Sequence, residues 1–400
     1  MQKAIDELLY EILKEITPTK EEKAKIETLT KELEQKIAVA CTKRGITAYI
    51  RAEGSVAKDT WLRENPDIDI FMRLPTTIHK KTLGKLGIEI AREATEGTKQ
   101  VERFAEHPYL EAFINGIRVN VVPCYAVKAG EWLSATDRTP FHTDYIRAHL
   151  DKEQLNQVRI LKKFMQGIKV YGAEIKTGGF SGYLCELLIL HYKSFVKTLT
   201  AFAQYKKRII IDIENYYAEN TEEISRTFTE PLIVIDPVDK ARNAASAVQP
   251  QKLSTFIAAA REFLQAPTAE FFKPAEIAPL PPETIAQTLE KCGVTYIFLA
   301  SPTPKAVPDV LWGQLYKTQR TLRRLMETND FKILRDTIWN NEKTLNIFIL
   351  ELEQGKLPPV KKHLGPPLTK EKECKNFLKK YTHNTTEVIA GPYIEYNRWA

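Results

Sequence analysis

Apolar residues recur at helical spacing near the start of the chain. Ile26, Leu29, Leu33 and Ile37 share one face of a helix predicted over 20–43, which follows a shorter amphipathic helix at the N-terminus. Gly45 stands where such a helix ends, because glycine accepts the left-handed conformation common there. The pattern then becomes strand-like. Ile46 to Ala52 reads as a strand, Gly54-Ser55 as a turn, the polar stretch with Trp61 and Leu62 as a short helix, and Ile68 to Leu74 as a second strand. A third run, Ile117 to Tyr125, is expected to end at Pro123-Cys124-Tyr125, where proline withholds a ladder donor.

From Thr143 to Phe202 the periodicity is helical, broken by the turn from Thr177 to Gly182, with Ser181 placed to cap the helix that follows. The proline-rich segment from Pro267 to Pro282 reads as a linker. A strand over Val294 to Leu299 and a helix over Val310 to Glu327 then begin another unit. The expectation is a multidomain α+β chain: a mixed-sheet domain over 1–145, a helical central domain over 146–265 and an α/β body over 266–400. Repeats of fixed period and low-complexity blocks are absent from the sequence, which sets solenoids aside.

Composition narrows the class. With 43% hydrophobic and 27% charged residues over 400 positions, the chain is long and apolar enough for several globular cores. Its longest apolar run, Tyr183 to Tyr192, is far short of the roughly 20 residues that span a bilayer, so no membrane partner is expected. The five cysteines are scattered and form no C-x-x-C pair, which fits a reducing cytoplasm. An excess of 58 basic over 51 acidic residues favours a polyanionic partner.

The chemistry concentrates in Gly54-Ser55 followed by Asp67-Ile68-Asp69. Side chains alternate along a strand, so Asp67 and Asp69 project together while Ile68 and Ile70 enter the core. Two carboxylates on one face suit Mg²⁺, and a pair of such ions about 3.5–4 Å apart serves in-line nucleotidyl transfer. Gly54 allows close backbone approach, and Ser55 opens a short helix whose free N–H groups favour phosphate. An isolated D-x-D is more often surface decoration; the upstream Gly-Ser after a strand is what favours a site.

These residues resemble the signature of the polymerase-beta-type nucleotidyltransferase superfamily. The strings GSVAKDTWLRENPDIDIF, VNVVPCY, DRTPFH, VYGAE, GGFSGYLCELLI and VIDPVDKARN, in this order, resemble the archaeal-type (class I) CCA-adding tRNA nucleotidyltransferases over nearly the whole chain. The resemblance implies a nucleotidyltransferase palm, a helical domain for nucleotide and base recognition, and a tRNA-binding body. It implies addition of C, C and A to the tRNA 3′ end from CTP and ATP, with two Mg²⁺ ions and no nucleic-acid template, and a homodimer. It also implies that Asp67 and Asp69 hold metal. Gly54, Ser55, Lys58, Thr139, His142, Lys162 and Tyr171 would surround the triphosphate and sugar, and Arg242 would read the incoming base.

Each has a plainer reading. His142 could cap a helix, Lys162 could share an exposed basic face with Lys163, Tyr171 could be core, and Arg242 could be a solvated or ion-paired group. The chain also departs from the family. Asn120 stands where the third carboxylate is expected, and it carries no charge and cannot act as a base. No other acid lies between Ile117 and Tyr125, and Glu111 is expected to be too far away, beyond the turn Asn115-Gly116. Turnover reduced at Asn120, nucleotide and tRNA binding without turnover, and a poly(A)-polymerase-like activity all stay open. The family continues past the segment matching Tyr393 to Trp399, so a short tail and weaker grip on full-length tRNA are expected. Arg320, Arg323 and Arg324, with Lys361, Lys362 and His363, are candidate phosphate contacts or simply solvated faces.

Overall fold

The computed structural model describes residues 2–104, 107–218, 220–274, 278–358, 360–381, 385–390 and 393–399. The chain forms two compact units, residues 1–277 and 278–400.

The first unit begins with α1 (Gln2–Ile16) and α2 (Lys20–Thr42). Thr19 starts α2 through a capping box, its hydroxyl accepting from the Glu22 amide while Glu22 returns a bond to the Thr19 amide. There follow β1 (Tyr49–Glu53), α3 (Gly54–Ala57), β2 (Asp67–Leu74), α4 (Lys80–Ala94), β3 (Lys99–Phe104), β4 (Pro108–Ile114) and β5 (Ile117–Tyr125). The five strands make one mixed sheet in the order β1-β2-β5-β4-β3, with β2 and β5 parallel and the other pairs antiparallel. Pro123 does not end β5. The β4 ladder stops at Leu110 opposite Val121, so Pro123 faces only Met72 of β2.

One face of this sheet is a core. Ile68, Ile70, Met72, Leu110, Ala112, Val119 and Val121 bury there against Leu33 and Ile37 of α2 and Leu83 of α4. Two glycines let α4 lie close: a Cβ on Gly84 would come within 2.5 Å of Pro108, and one on Gly87 within 2.6 Å of Pro123. The other face carries Asp67, Asp69 and Asn120.

The helical part comprises α5 (Thr139–His149), α6 (Lys152–Gly167), α7 (Gly182–Tyr192), α8 (Phe195–Ala203), β6 (Ile209–Ile211), α9 (Thr221–Thr227), β7 (Leu232–Asp236), β8 (Asp239–Asn243) and α10 (Pro250–Gln265). Ser181 caps α7 by accepting from the Leu184 amide. The core here is aromatic. Phe164 meets Phe195, Phe256, Phe263 and Phe272 edge-on, with ring centroids 5.3 to 6.2 Å apart. Phe272 arrives from a 3-10 turn at Ala269–Phe272, so the start of the proline-rich segment is packed. Ile5, Leu9, Ile12 and Ile16 of α1 join this same core.

The second unit contains α11 (Pro282–Lys291), β9 (Thr295–Pro302), α12 (Pro308–Thr328), β10 (Ile333–Asn340), β11 (Leu345–Leu352), β12 (Val360–Pro367), α13 (Glu371–Tyr381), β13 (Thr385–Ala390) and β14 (Tyr393–Trp399). Two antiparallel sheets run β10-β11-β9 and β12-β14-β13. Leu311, Trp312 and Leu315 of α12 bury against Phe348. Arg320 and Arg324 are exposed, whereas Arg323 is paired with Asp336 and Glu327. The side chains of Lys361, Lys362 and His363 and of Tyr393 to Trp399 lie outside the described residues. Among the described residues no helix is long and apolar enough to cross a membrane.

Candidate active site

Strand register assembles the acidic centre. Asp69 lies opposite Glu53 of β1 on one side and Asn120 of β5 on the other, while Asp67 lies opposite Arg118. Residues directly opposite share a face, so Asp67, Asp69, Arg118 and Asn120 form one patch. Arg118 donates from Nε to Asp67 Oδ1 at 2.8 Å and from its terminal nitrogen to Oδ2. Asn120 Nδ2 donates to Asp69 Oδ1 at 2.9 Å. Asp69 Oδ2 turns toward Gly54, which holds φ +69°, and a Cβ on Gly54 would stand 2.2 Å from that oxygen.

Burial lifts the Asp69 carboxyl from its usual 3.8 to about 6; the Asn120 hydrogen bond opposes the rise and the Asp67 charge adds to it. Its charge is therefore undercompensated. Asn120 Oδ1 is buried without a hydrogen-bond partner. Two carboxylates and an orphaned amide oxygen form a hard-oxygen donor set, which fits a divalent cation of the Mg²⁺ type. Among the described residues no cluster of three His, Cys, Asp or Glu side chains is placed to hold one.

Glu111 is a correction to the sequence expectation. The turn Asn115-Gly116, with φ +52° and +79°, closes a tight hairpin that sets Glu111 directly opposite Asn120 on the same face. Its carboxylate is nearly buried and is held by Arg103 at 2.7 Å.

A cavity of about 200 Å³ opens beside this patch, lined by Ser55, Thr60, Trp61, Leu62, Asn65, Asp67, Arg118, Lys162, Gln166 and Tyr171. Lys162 is not on an exposed basic face. It is buried, with Nζ donating to Thr60 O at 3.1 Å and Thr60 Oγ1 at 3.0 Å and lying 3.4 Å from Glu186 Oε1. Lys163 is the outward one, paired with Glu64. The Lys58 ammonium is also buried, 2.5 Å from Glu186 Oε2 and over the Tyr183 ring. Burial holds the Tyr171 hydroxyl protonated, far above its ordinary value.

Asp236 organises a second cluster. His142 Nε2 lies 2.9 Å from its Oδ2, Arg242 donates to the same oxygen at 2.5 Å, and Tyr183 donates to Oδ1 at 3.0 Å. The His142 ring stacks on Tyr183 with centroids 4.0 Å apart. Burial lowers the imidazole pKa against the pull of Asp236. Burial alone would raise the Asp236 carboxyl, but the His142 hydrogen bond and the His142 and Arg242 charges outweigh it and hold it at about 2. Thr139 begins α5, and Arg138 before it bonds Asp239 at 2.7 Å, fixing that end to the β7–β8 hairpin.

A folded-state pKa below the ordinary 3.8 gives stability that is present above that value and is lost as pH falls toward about 2. Asp236→Asn is therefore expected to cost about 2 kcal/mol at neutral pH. Denaturant titrations of both proteins should show the gap closing from pH 4 downward; a gap independent of pH would contradict it.

The sequence reading passed over Thr60, Arg118, Tyr183, Glu186 and Asp236. Two of these carried a signal. Glu186 is the one acid within the apolar run Leu184 to Leu190, and Asp236 ends the apolar strand Leu232–Asp236.

The chain matches three families: a nucleotidyltransferase domain at residues 31–142, the second domain of tRNA nucleotidyltransferase at 156–273, and the C-terminal domain of the CCA-adding enzyme at 293–400. It is 39% identical to a CCA-adding enzyme of Methanosarcina barkeri over 98% of this chain and 85% of that protein. It is 36% identical to that of Methanopyrus kandleri over 91% of this chain and 77% of that one. Among solved structures, a cytoplasmic RNA terminal U-transferase superposes with TM-score 0.52 at 14% identity, over 69% of this chain and all of that one. An E. coli CdnC with ATP superposes with TM-score 0.50 at 19% identity, over 68% of this chain and 94% of that one. At these identities the likeness is one of fold.

Proposed function

The chain belongs to the CCA-adding enzymes, a family of tRNA nucleotidyltransferases, and on that premise we propose that it adds C, C and A in turn to the tRNA 3′ end, taking them from CTP and ATP without a nucleic-acid template. One observation carries the reading. Asp67, Asp69 and Asn120 share a sheet face at the edge of a cavity that also holds Ser55, Lys162 and Tyr171.

Asp67, Asp69 and the Asn120 carbonyl oxygen would hold Mg²⁺. Two bound ions would supply a more acidic 3′-hydroxyl and neutralise charge on the departing pyrophosphate. The protein's own groups do the rest. Lys162 and the protonated Tyr171 hydroxyl donate to triphosphate oxygens, and Ser55 does so from the turn. Gly54 keeps the backbone against Asp69. Thr139 and His142 border the sugar and triphosphate, while Arg242, held through one nitrogen by Asp236, keeps further N–H donors for the Watson–Crick edge of the base. Lys58 contributes charge from beneath, since its ammonium rests on Glu186.

The test is incubation of tRNA lacking its CCA end with Mg²⁺, labelled CTP and ATP. Addition that stops after three nucleotides is the expected result. A lengthening A tail would instead indicate a poly(A)-polymerase-like enzyme. A second reading, binding without turnover, is favoured by one feature: three of the four Asp67 and Asp69 oxygens already accept protein N–H donors. Asn120→Asp separates the two, because only an enzyme slowed at this position gains activity. No incorporation by either form would overturn the proposal.

A further inference from the structure

Buried charges need partners, and three charged groups packed together behind the cavity are left unexplained as a set by the reaction as described. Glu186 sits within α7, its side chain inaccessible to solvent, and receives Lys58 at 2.5 Å, the Thr60 hydroxyl at 2.6 Å and Lys162 at 3.4 Å. Thr60 bridges the assembly, since its carbonyl and hydroxyl oxygens both accept from Lys162. Of the three charged groups, only Lys162 lines the cavity, together with Ser55, Asp67 and Tyr171.

An ammonium in a buried position without a counterion tends to shed its proton. Lys162 is buried and its pKa is lowered by that burial; Glu186 pulls it back up while Lys58 pushes it down further. The two ammonium charges in turn overcome burial at Glu186 and keep its carboxyl below the usual range. The other ionisable groups facing Lys162 are Cys185, neutral because burial pushes its thiol up to about 12, and Tyr171, held protonated. Asp67 and Arg118 share the cavity and neutralise each other. Glu186 is thus the one anion left to set the charge of Lys162. Its second oxygen carries Lys58, so the same carboxylate ties the Gly-Ser turn to α7.

We propose that Glu186 is a positioning residue for triphosphate binding: it keeps the buried Lys162 ammonium charged at the cavity wall, so that a nucleoside triphosphate meets a cation there. This rests on the triphosphate reading of the cavity. Glu186 touches no substrate itself. A neutral Lys162 would still be a hydrogen-bond donor but would lack the charge that makes a bond to phosphate strong.

The experiment is calorimetric titration of the full chain with Mg²⁺–CTP in the absence of tRNA, at several pH values from 6.5 to 9, for wild type, Glu186→Gln and Glu186→Asp. In Glu186→Gln the Lys162 pKa drops, so affinity is expected to fall roughly 10- to 100-fold at high pH, with a smaller loss at pH 6.5. Glu186→Asp keeps the charge one methylene further back; its loss should be smaller and should also grow with pH. It carries the test if the glutamine form does not fold. A loss of equal size at every pH would indicate a purely structural role and overturn the inference, as would wild-type affinity throughout. Wild-type protein that shows no binding of Mg²⁺–CTP would overturn the triphosphate reading itself, and this inference with it.

Discussion

Asn120→Asp is expected to speed nucleotide addition by roughly two to four powers of ten, read as the single-turnover rate of labelled CTP incorporation. The position is already built for a ligand. Asn120 faces Asp69 in the parallel register of β2 and β5, and its Oδ1 is buried without a partner. The amide nitrogen is the misplaced element, because it spends an Asp69 oxygen on an internal hydrogen bond. Aspartate has the same shape but presents two acceptors, freeing that oxygen and adding a negative charge where a divalent ion would sit. The gain should come at a cost in the metal-free protein. Asp69 already titrates near 6, and another carboxylate beside it adds repulsion between like charges. Asn120→Asp should therefore melt lower than the parent without Mg²⁺ and recover when Mg²⁺ is added, as a ligand-linked transition does. An unchanged rate, with no Mg²⁺-dependent recovery, would mean that Asn120 does not limit this site.

How much of this was readable beforehand follows from the kind of signal each element leaves. β2 and β5 were legible because one face is wholly apolar and the alternation holds over Asp67–Ile70 and Ile117–Val121, which puts Asp67 and Asp69 on a common side, while Asn120 was reached only through the family resemblance. α4 was not. Its buried face is interrupted by Gly84 and Gly87, which weaken helix propensity but are needed for contact with Pro108 and Pro123. Glu111 was set aside because a turn separates it from β5, yet a two-residue hairpin is the connection that brings a residue directly opposite. Lys162 looked exposed because it stands next to Lys163. Helix phase decides between them: Lys162 falls on the side of α6 that packs against α7, and Lys163 one position on reaches Glu64. The network of Lys58, Thr60, Lys162 and Glu186 joins positions more than a hundred residues apart. No local pattern announces such a contact.

The same geometry makes Gly54 hard to replace, and two glycines separate the reasons. Gly54 and Gly45 hold nearly equal positive φ values, +69° and +68°. A Cβ on Gly45 would meet nothing within 4 Å, whereas one on Gly54 would overlap Asp69 Oδ2 at 2.2 Å. Gly45→Ala thus carries only the backbone cost of a left-handed L-residue, about 1–2 kcal/mol, and should lower the melting temperature without altering kcat. Gly54→Ala carries a similar cost and a collision besides. Relief requires about 1 Å of movement by the carboxylate or the turn, and a displacement of that size in a reacting centre costs on the order of a hundredfold in rate. The turn also bears Ser55, and the Asp69 carboxylate cannot retreat into a closed sheet core behind Ile68 and Ile70. Gly54→Ala is accordingly expected to lose roughly 10²- to 10³-fold in kcat, with a melting shift at least as large as that of Gly45→Ala. Equal kcat values for the two variants would show that the approach of this turn to Asp69 has no part in the chemistry.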